Sequence, residues 1–126
     1  MKKSDIRVAI LRIEGTNCEQ ESLDAFQRLD TKPEFVHLKQ LLHMDCSKEE
    51  ERNLSDFHCL MIPGGFSAGD YIRAGTILAA RMKSKLQDEL NGFVENGYPI
   101  LGVCNGFQVL IELGLLPGIS MGMSHI

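Results

Sequence analysis

Residues 99–106 read PILGVCNG and join an apolar run to a turn of glycine, cysteine and asparagine. Pro99 to Val103 is a short aliphatic run of the kind that forms a buried strand. Asn105 to Leu113 has the spacing of a helix, which Gly114 is expected to end. The segment therefore predicts a strand that turns sharply at Cys104 into a helix.

The same alternation of strand and helix runs through the rest of the chain. Strands are predicted over Ile6–Ile13, Glu34–Leu38 and Phe57–Ile62. A first helix is predicted to begin at Thr16 or Asn17, and Pro33 is expected to end that unit. Two further helices are predicted over 71–80 and 83–96, the second with Gly97 as its C-terminal cap. Strands that alternate with helices favour right-handed crossovers. The predicted fold class is therefore α/β, with a parallel sheet and helices on both faces, in one domain over residues 1–126.

Composition and charge exclude several classes of protein. The 126 residues are 44% hydrophobic and 24% charged, which is typical of one globular domain rather than a disordered chain. The net charge is −4, and no basic block is present, so neither nucleic acid nor an anionic membrane is a predicted partner. No apolar stretch is long enough to span a bilayer. Asp5, Arg7 and Arg12 interrupt the first apolar segment, so we predict no signal peptide and a cytoplasmic location.

The cysteines carry no metal-site spacing. Cys18, Cys46, Cys59 and Cys104 include no C-x-x-C pair, so a zinc site is not predicted. Disulfides are not predicted either, because a cytoplasmic location keeps thiols reduced.

The segment from Gly102 to Gly106 has the pattern G-x-C-x-G, whose serine counterpart is the nucleophile elbow. Such a turn holds the nucleophile in a strained backbone conformation, and the flanking glycines leave room for it to project above the sheet. The following helix places its positive end beside the sulfur. Cys104 is thus a candidate nucleophile. A buried structural cysteine at a tight turn is the alternative for this pattern.

Two further segments provide candidate partners for the thiol. Glycine in the loop Pro63-Gly64-Gly65 allows close approach of backbone N–H groups to a substrate oxygen. The N–H groups of Gly65 and Asn105 are therefore a candidate oxyanion hole. Gln108 lies one helical turn after Cys104 and could bind a polar substrate. An ordinary strand-ending turn and an ordinary helix residue are the alternatives, and phosphate binding is disfavoured because no Walker lysine is present.

A cysteine nucleophile also needs a general acid and base. The chain has four histidines, His37, His43, His58 and His125. None of them lies at a position in the predicted elements that makes it a convincing partner for Cys104.

Three segments, in this order along the chain, resemble the glutaminase subunits of phosphoribosylformylglycinamidine synthase. They are 15–19 (GTNCE), 63–75 (PGGFSAGDYIRAG) and 102–108 (GVCNGFQ), and 115–118 (LLPG) also fits. These subunits are class I glutamine amidotransferases of purine biosynthesis. The resemblance extends over about residues 6–118 and implies a flavodoxin-like sheet. It also implies a truncated form of that fold, because family members usually continue beyond the Leu-Pro-Gly segment and carry the catalytic His and Glu there.

The resemblance implies a glutaminase mechanism. In it a thiolate attacks the side-chain amide of glutamine, ammonia leaves, and water hydrolyses the thioester. The residues implied are Cys104 as nucleophile, Gly65 and Asn105 as oxyanion hole, and Gln108, Gly64 and Phe66 as glutamine-binding residues. The implied partners are a synthetase subunit and a small bridging subunit. No cofactor is expected in this chain, because ATP and Mg²⁺ are expected only on the synthetase.

Two alternatives to an active glutaminase remain at this point. One is a non-catalytic interaction module that keeps the fold and binds the synthetase subunit. The other is a different α/β protein with a cysteine elbow, similar to the DJ-1/PfpI proteins. A truncated sheet would also leave an open edge and an uncovered apolar face, so a homo-oligomer or aggregation is expected.

Overall fold

The computed structural model describes residues 2–12, 19–64, 80, 84, 86–104, 106, 110–111 and 114–115. These residues contain a parallel sheet of β1 (Arg7–Arg12), β2 (Lys32–His37), β3 (Cys59–Ile62) and β4 (Ile100–Gly102), in the order β2-β1-β3-β4. The helices with complete bounds are α1 (Glu19–Arg28) and α2 (Leu38–Leu42), and residues 86–95 are also helical, as are residues 106, 110 and 111 after β4. Short 3₁₀ turns cover Lys3–Asp5 and Leu54–Asp56. The predicted parallel α/β architecture is confirmed.

Helices cover both faces of this sheet, as predicted. On one face Val8, Ile10 and Met61 are buried against Leu23 and Phe26 of α1. The opposite face is covered by α2 and by the 86–95 helix, whose buried apolar side chains pack on those of β1 and β3. The buried residues of this second cluster are Ala9, Leu11, Val36, Leu38, Leu41, Leu54, Phe57, Leu60, Ile62, Leu86, Leu90, Phe93 and Leu110.

The 86–95 helix ends at the glycine that the sequence predicts. Gly97 has φ 85°, and its N–H donates to the carbonyl of Val94 at 2.9 Å. The N–H of Tyr98 donates to the carbonyl of Phe93 at 3.1 Å, which completes a Schellman motif. Glycine adopts this left-handed conformation without the steric cost that a Cβ atom brings, so Gly97 stops the helix cleanly.

The predicted role of Pro33 is wrong, because Pro33 lies inside β2 rather than ending the unit before it. The N–H of Lys32 donates to the carbonyl of Ile6 at 2.8 Å. Alternate residues of a strand bond to the same neighbour, so the nitrogen of Pro33 faces away from β1. Among the described strands β2 is an edge strand, and a missing N–H there breaks no ladder bond.

Other element boundaries differ by a few residues from the prediction. Leu38 begins α2, a helix that the sequence did not predict, instead of ending β2. Phe57 and His58 precede β3, which starts at Cys59. The predicted start of the first helix at Thr16 or Asn17, and all of the predicted 71–80 helix except residue 80, lie outside the described residues.

Candidate active site

The strand order places a crevice at the carboxyl edge of the sheet. From the central strand β1 the chain continues to β2 on one side, whereas β3 and β4 lie on the other. Ligands of open parallel sheets bind outside the carboxyl ends of the strands at such a switch point. Gly64 follows β3 and Cys104 follows β4, so both residues lie at this edge.

Cys104 occupies a left-handed backbone conformation at the turn after β4. Its φ is 52°, and its side chain is exposed. The N–H of Gly106 donates to the carbonyl of Val103 at 2.8 Å and closes the turn around the cysteine. The N–H of Val103 donates to the carbonyl of Ile62 at 3.1 Å, which ties the turn to the end of β3. This conformation costs a non-glycine residue about 1–2 kcal/mol, and such residues cluster at active sites.

The two glycines that flank Cys104 have a steric cause. A Cβ atom on Gly106 would overlap the carbonyl oxygen of Ile62. A Cβ atom on Gly102 would overlap the carbonyl oxygen of Gly106 and lie 2.8 Å from Cδ1 of Leu110. The glycines thus allow the start of the helix to pack directly on the ends of β3 and β4, and the thiol remains at the surface.

A cavity of about 510 Å³ opens beside the thiol. We call it the α1–β4 groove. Its described lining is mainly apolar and comes from three parts of the fold. They are Glu21, Ser22, Ala25 and Phe26 of α1 with Leu29 directly after it, Met61, Pro63 and Gly64 at the end of β3, and Leu101, Val103 and Cys104 at the end of β4. The contribution of α1 to the site was not predicted from the sequence. The available signal was the spacing of Ser22, Ala25 and Leu29, which places them on one face of a helix.

The structure brings together two of the six predicted site residues. Cys104 and Gly64 both line the groove. Gly65, Phe66, Asn105 and Gln108 lie outside the described residues. The oxyanion hole and the glutamine contacts therefore stay predictions.

None of the three described histidines lies beside Cys104. His58 precedes β3 at the opposite edge of the sheet, where its Nδ1 accepts from the N–H of Arg7 at 2.9 Å. His37 ends β2, which is three interstrand spacings, or roughly 14 Å, from β4. Nε2 of His43 lies 3.1 Å from the carbonyl oxygen of Arg52. The fourth histidine, His125, lies outside the described residues.

The three described cysteines, Cys46, Cys59 and Cys104, are free thiols in different surroundings. Cys59 of β3 is buried on the face of the sheet that α1 covers, and this burial raises the pKa of its thiol. Within the described part of the chain, no three His, Cys, Asp or Glu side chains come close enough to hold a metal ion. The helices in that part are also too short or too polar to cross a bilayer.

A parallel sheet between two helical layers, with an exposed thiol on a left-handed turn at its carboxyl edge, defines an α/β protein of the class whose members bind ligands at this edge. Residues 5–125 match the family of CobB/CobQ-like glutamine amidotransferase domains, and the chain belongs to that family. Because of this match, the alternative of a DJ-1/PfpI-like protein is wrong.

The predicted resemblance is confirmed by curated relatives. The chain is 56% identical over 118 residues to phosphoribosylformylglycinamidine synthase subunit PurQ of Archaeoglobus fulgidus. That match covers 94% of this chain and 44% of the relative. It is also 49% identical over 109 residues to PurQ of Picrophilus torridus, in a match that covers 86% of this chain and 41% of the relative. The chain thus spans less than half the length of these relatives.

A solved structure supports the same fold. The structure of PurLQS from Thermotoga maritima matches with a TM-score of 0.66 and 34% identity. The match covers 89% of this chain and 46% of the solved chain.

Proposed function

We propose that this chain supplies the nucleophile of a glutaminase, with Cys104 attacking the side-chain amide carbon of glutamine. A sulfur–carbon bond forms, and the thiol proton passes through a base to the amide nitrogen, which leaves as ammonia. Water then hydrolyses the thioester to glutamate and returns the thiol. The observation that carries the proposal is the exposed Cys104 at φ 52°, held between β4 and a helix at the edge where ligands bind.

The oxyanion of the tetrahedral intermediate is assigned to two backbone N–H groups, those of Gly65 and Asn105. Gly64 immediately precedes one donor and lines the groove with Cys104, and Asn105 follows the nucleophile directly. One such donor is worth about 10²–10³ in kcat in other acyl-transfer enzymes. Gln108, Gly64 and Phe66 are assigned to binding the glutamine.

The proposed destination of the ammonia is the synthetase of phosphoribosylformylglycinamidine synthesis. The names of the PurQ relatives and the PurLQS structure support this partner and a small bridging subunit. ATP and Mg²⁺ then belong to the synthetase, and this chain holds no cofactor. The proposal places the chain in the cytoplasm, where its thiols stay reduced. Without partners we expect the chain to self-associate, because apolar side chains are exposed at β4.

A second candidate function is a non-catalytic interaction module that binds the synthetase subunit. The observation that favours it is the placement of His37, His43 and His58, none of which can serve Cys104 as a base from the positions described above. In this case the chain would bind the synthetase without turning over glutamine.

Ammonia release from glutamine distinguishes the two candidates. The chain is assayed with the synthetase and bridging subunits of a PurQ-containing relative, beside Cys104→Ala and the control Cys46→Ala. The glutaminase proposal predicts release that is lost in Cys104→Ala and kept in Cys46→Ala. Release that survives in Cys104→Ala would overturn the assignment of the nucleophile, and stable binding of the synthetase without any release would favour the module.

A further inference from the structure

A second cavity lies at the amino edge of the sheet, away from Cys104. Its volume is about 430 Å³, and we call it the amino-edge cavity. The 3₁₀ turn before β3 forms one side of it, and the 86–95 helix with the residues that lead to β4 forms the other. Because Tyr98 precedes β4 and Cys104 follows it, the strand separates the cavity from the thiol by roughly 15 Å. The polar and aromatic residues of the lining are Asn53, Ser55, Glu89, Phe93, Asn96 and Tyr98.

One wall of the amino-edge cavity is a fixed aromatic surface. The centroid of the Tyr98 ring lies 5.2 Å from that of Phe93 and 6.0 Å from that of His58. Phe93 is buried, and Nδ1 of His58 accepts from the N–H of Arg7 at 2.9 Å, so both neighbours are themselves held in place. Tyr98 is still 39% exposed. A ligand that stacks on this ring therefore does not have to order it first, which favours binding.

The other lining residues place hydrogen-bond acceptors around a single carboxylate. Glu89 is the one charged residue among the described lining residues. The side-chain oxygens of Asn53, Ser55 and Asn96 can each accept a hydrogen bond. The surrounding sequence adds further negative charge, because residues 86–126 contain four acidic residues and no Lys or Arg. The amino-edge cavity therefore favours a cationic ligand that donates several hydrogen bonds.

A guanidinium group fits this combination of a carboxylate and an aromatic face. It is planar, carries five N–H donors and stacks on rings. The chain already binds one of its own arginines in this way. The guanidinium carbon of Arg7 lies 4.9 Å from the centroid of the Phe57 ring, and its Nη2 donates to Oε1 of Glu34 at 2.8 Å. Arg52, which directly precedes Asn53, donates to Oε2 of Glu34 at 3.1 Å, so neither of these arginines occupies the cavity.

We propose that the amino-edge cavity binds the guanidinium group of an arginine that a partner polypeptide presents. Glu89 pairs with the guanidinium, Tyr98 stacks on it, and the amide and hydroxyl oxygens accept from its remaining N–H groups. Asn53, Ser55, Glu89 and Asn96 are exposed, so the cavity is an open cleft. An open cleft suits a side chain on a protein surface better than a small molecule, which a binding site normally encloses. A second copy of this chain is a poor partner, because it also has a net charge of −4.

The position of the amino-edge cavity leaves the carboxyl edge of the sheet free. A partner that docks through it can therefore stay bound while a substrate reaches Cys104. The proposal does not depend on glutaminase activity, so it can fail while the proposed function stands, and the reverse also holds.

Titration of the whole chain with short peptides tests the proposal. The peptide acetyl-Gly-Arg-Gly-amide is added to isotope-labelled protein at low ionic strength, and the backbone N–H signals are followed by NMR. We expect saturable shifts at Asn53, Glu89 and Asn96 and none at Val103. The same peptide with citrulline, which keeps the shape of the arginine side chain without its charge, should bind about fivefold more weakly. Equal binding of the two peptides, or no saturable shift around the cavity, would overturn the proposal.

Substitution of Glu89 tests the assigned contact. Glu89→Gln should weaken binding of the arginine peptide by about fivefold, and because the side chain is exposed the variant should fold. Tyr98→Leu should weaken it further by removing the stacked ring. The matched control is Glu95→Gln, which removes the same charge from an exposed position of the same helix that does not line the cavity. If Glu95→Gln weakens binding as much as Glu89→Gln, only general charge attraction acts and the proposal is overturned.

Two further probes test the chemistry and the source of the cation. A peptide with lysine in place of arginine should bind more weakly, because an ammonium group neither stacks as a plane nor pairs through two parallel N–H donors. Lysine and arginine peptides of equal affinity would overturn the guanidinium assignment. Methylguanidinium alone should bind about threefold more weakly than the arginine peptide, because it lacks the contacts of the peptide with the rim. Equal affinity would overturn the assignment to a polypeptide.

Discussion

The backbone of Gly106 lies against the carbonyl oxygen of Ile62 so closely that a Cβ atom on the glycine would overlap that oxygen. This contact fixes the helix after Cys104 on the end of β3. It is the structural reason that the turn can hold the thiol at the carboxyl edge of the sheet.

Gly106→Ala is expected to lower the free energy of unfolding by about 1–3 kcal/mol, because the added methyl group must displace main chain rather than a flexible side chain. Urea denaturation measures the change. The control is Gly92→Ala in the 86–95 helix, where nothing lies within 4 Å of the added Cβ atom. That substitution should stabilise the chain by about 0.5–1 kcal/mol. Equal effects of the two substitutions would contradict the close contact.

The second prediction concerns the steric cost of the left-handed conformation at Cys104. Cys104→Gly should be more stable than Cys104→Ala by about 1 kcal/mol, because alanine keeps the steric cost of a Cβ atom at φ 52° and glycine does not. Thermal or urea unfolding of the two variants measures the difference. An alanine variant as stable as the glycine variant would show that the turn does not strain the nucleophile.

The end of α1 provides a third prediction. Asp30 has φ 61° and follows the helix as the left-handed residue of its cap, a position that favours glycine. Asp30→Gly should raise the free energy of unfolding by about 0.5–1 kcal/mol. The same substitution inside the helix, Asp24→Gly, should lower it by about 0.5 kcal/mol, because glycine is the weaker helix former and the hydrogen bond from Gln20 to Asp24 is lost. If Asp30→Gly also lowers it, the cap geometry is wrong.

The buried thiol of Cys59 makes the free energy of unfolding depend on pH in the alkaline range. Burial raises the pKa of this thiol, so the folded chain keeps its proton to higher pH than the unfolded chain does. The stabilisation of the folded chain by this protonated thiol is complete below the pKa of the thiol in the unfolded chain, about 8.5, and is lost as the pH rises through its pKa in the folded chain. Urea midpoints should therefore fall above about pH 8.5, and Cys59→Ala should reduce that fall. A fall of the same steepness in Cys59→Ala would assign it to other groups.

The sequence predicted the centre of the site better than its surroundings. The strand, the turn and the helix around Cys104 are local, and an aliphatic run followed by a cysteine between glycines carries them in one short segment. The groove could not be predicted in the same way, because helical spacing shows that Ser22 and Ala25 share a face of α1 but does not show where that face packs on the sheet. Pro33 was misplaced for a related reason: a proline is tolerated in an edge strand, and sequence does not show which strand forms the edge.

Labelling with a glutamine analogue that carries an electrophile in place of the side-chain amide tests the central claim most directly. Peptide mapping by mass spectrometry would locate the adduct, with Cys46 as the internal control thiol. Our account predicts an adduct at Cys104 that forms faster than any at Cys46 and is slowed by excess glutamine. No adduct at Cys104, or one that forms at the rate of Cys46 and ignores glutamine, would contradict it.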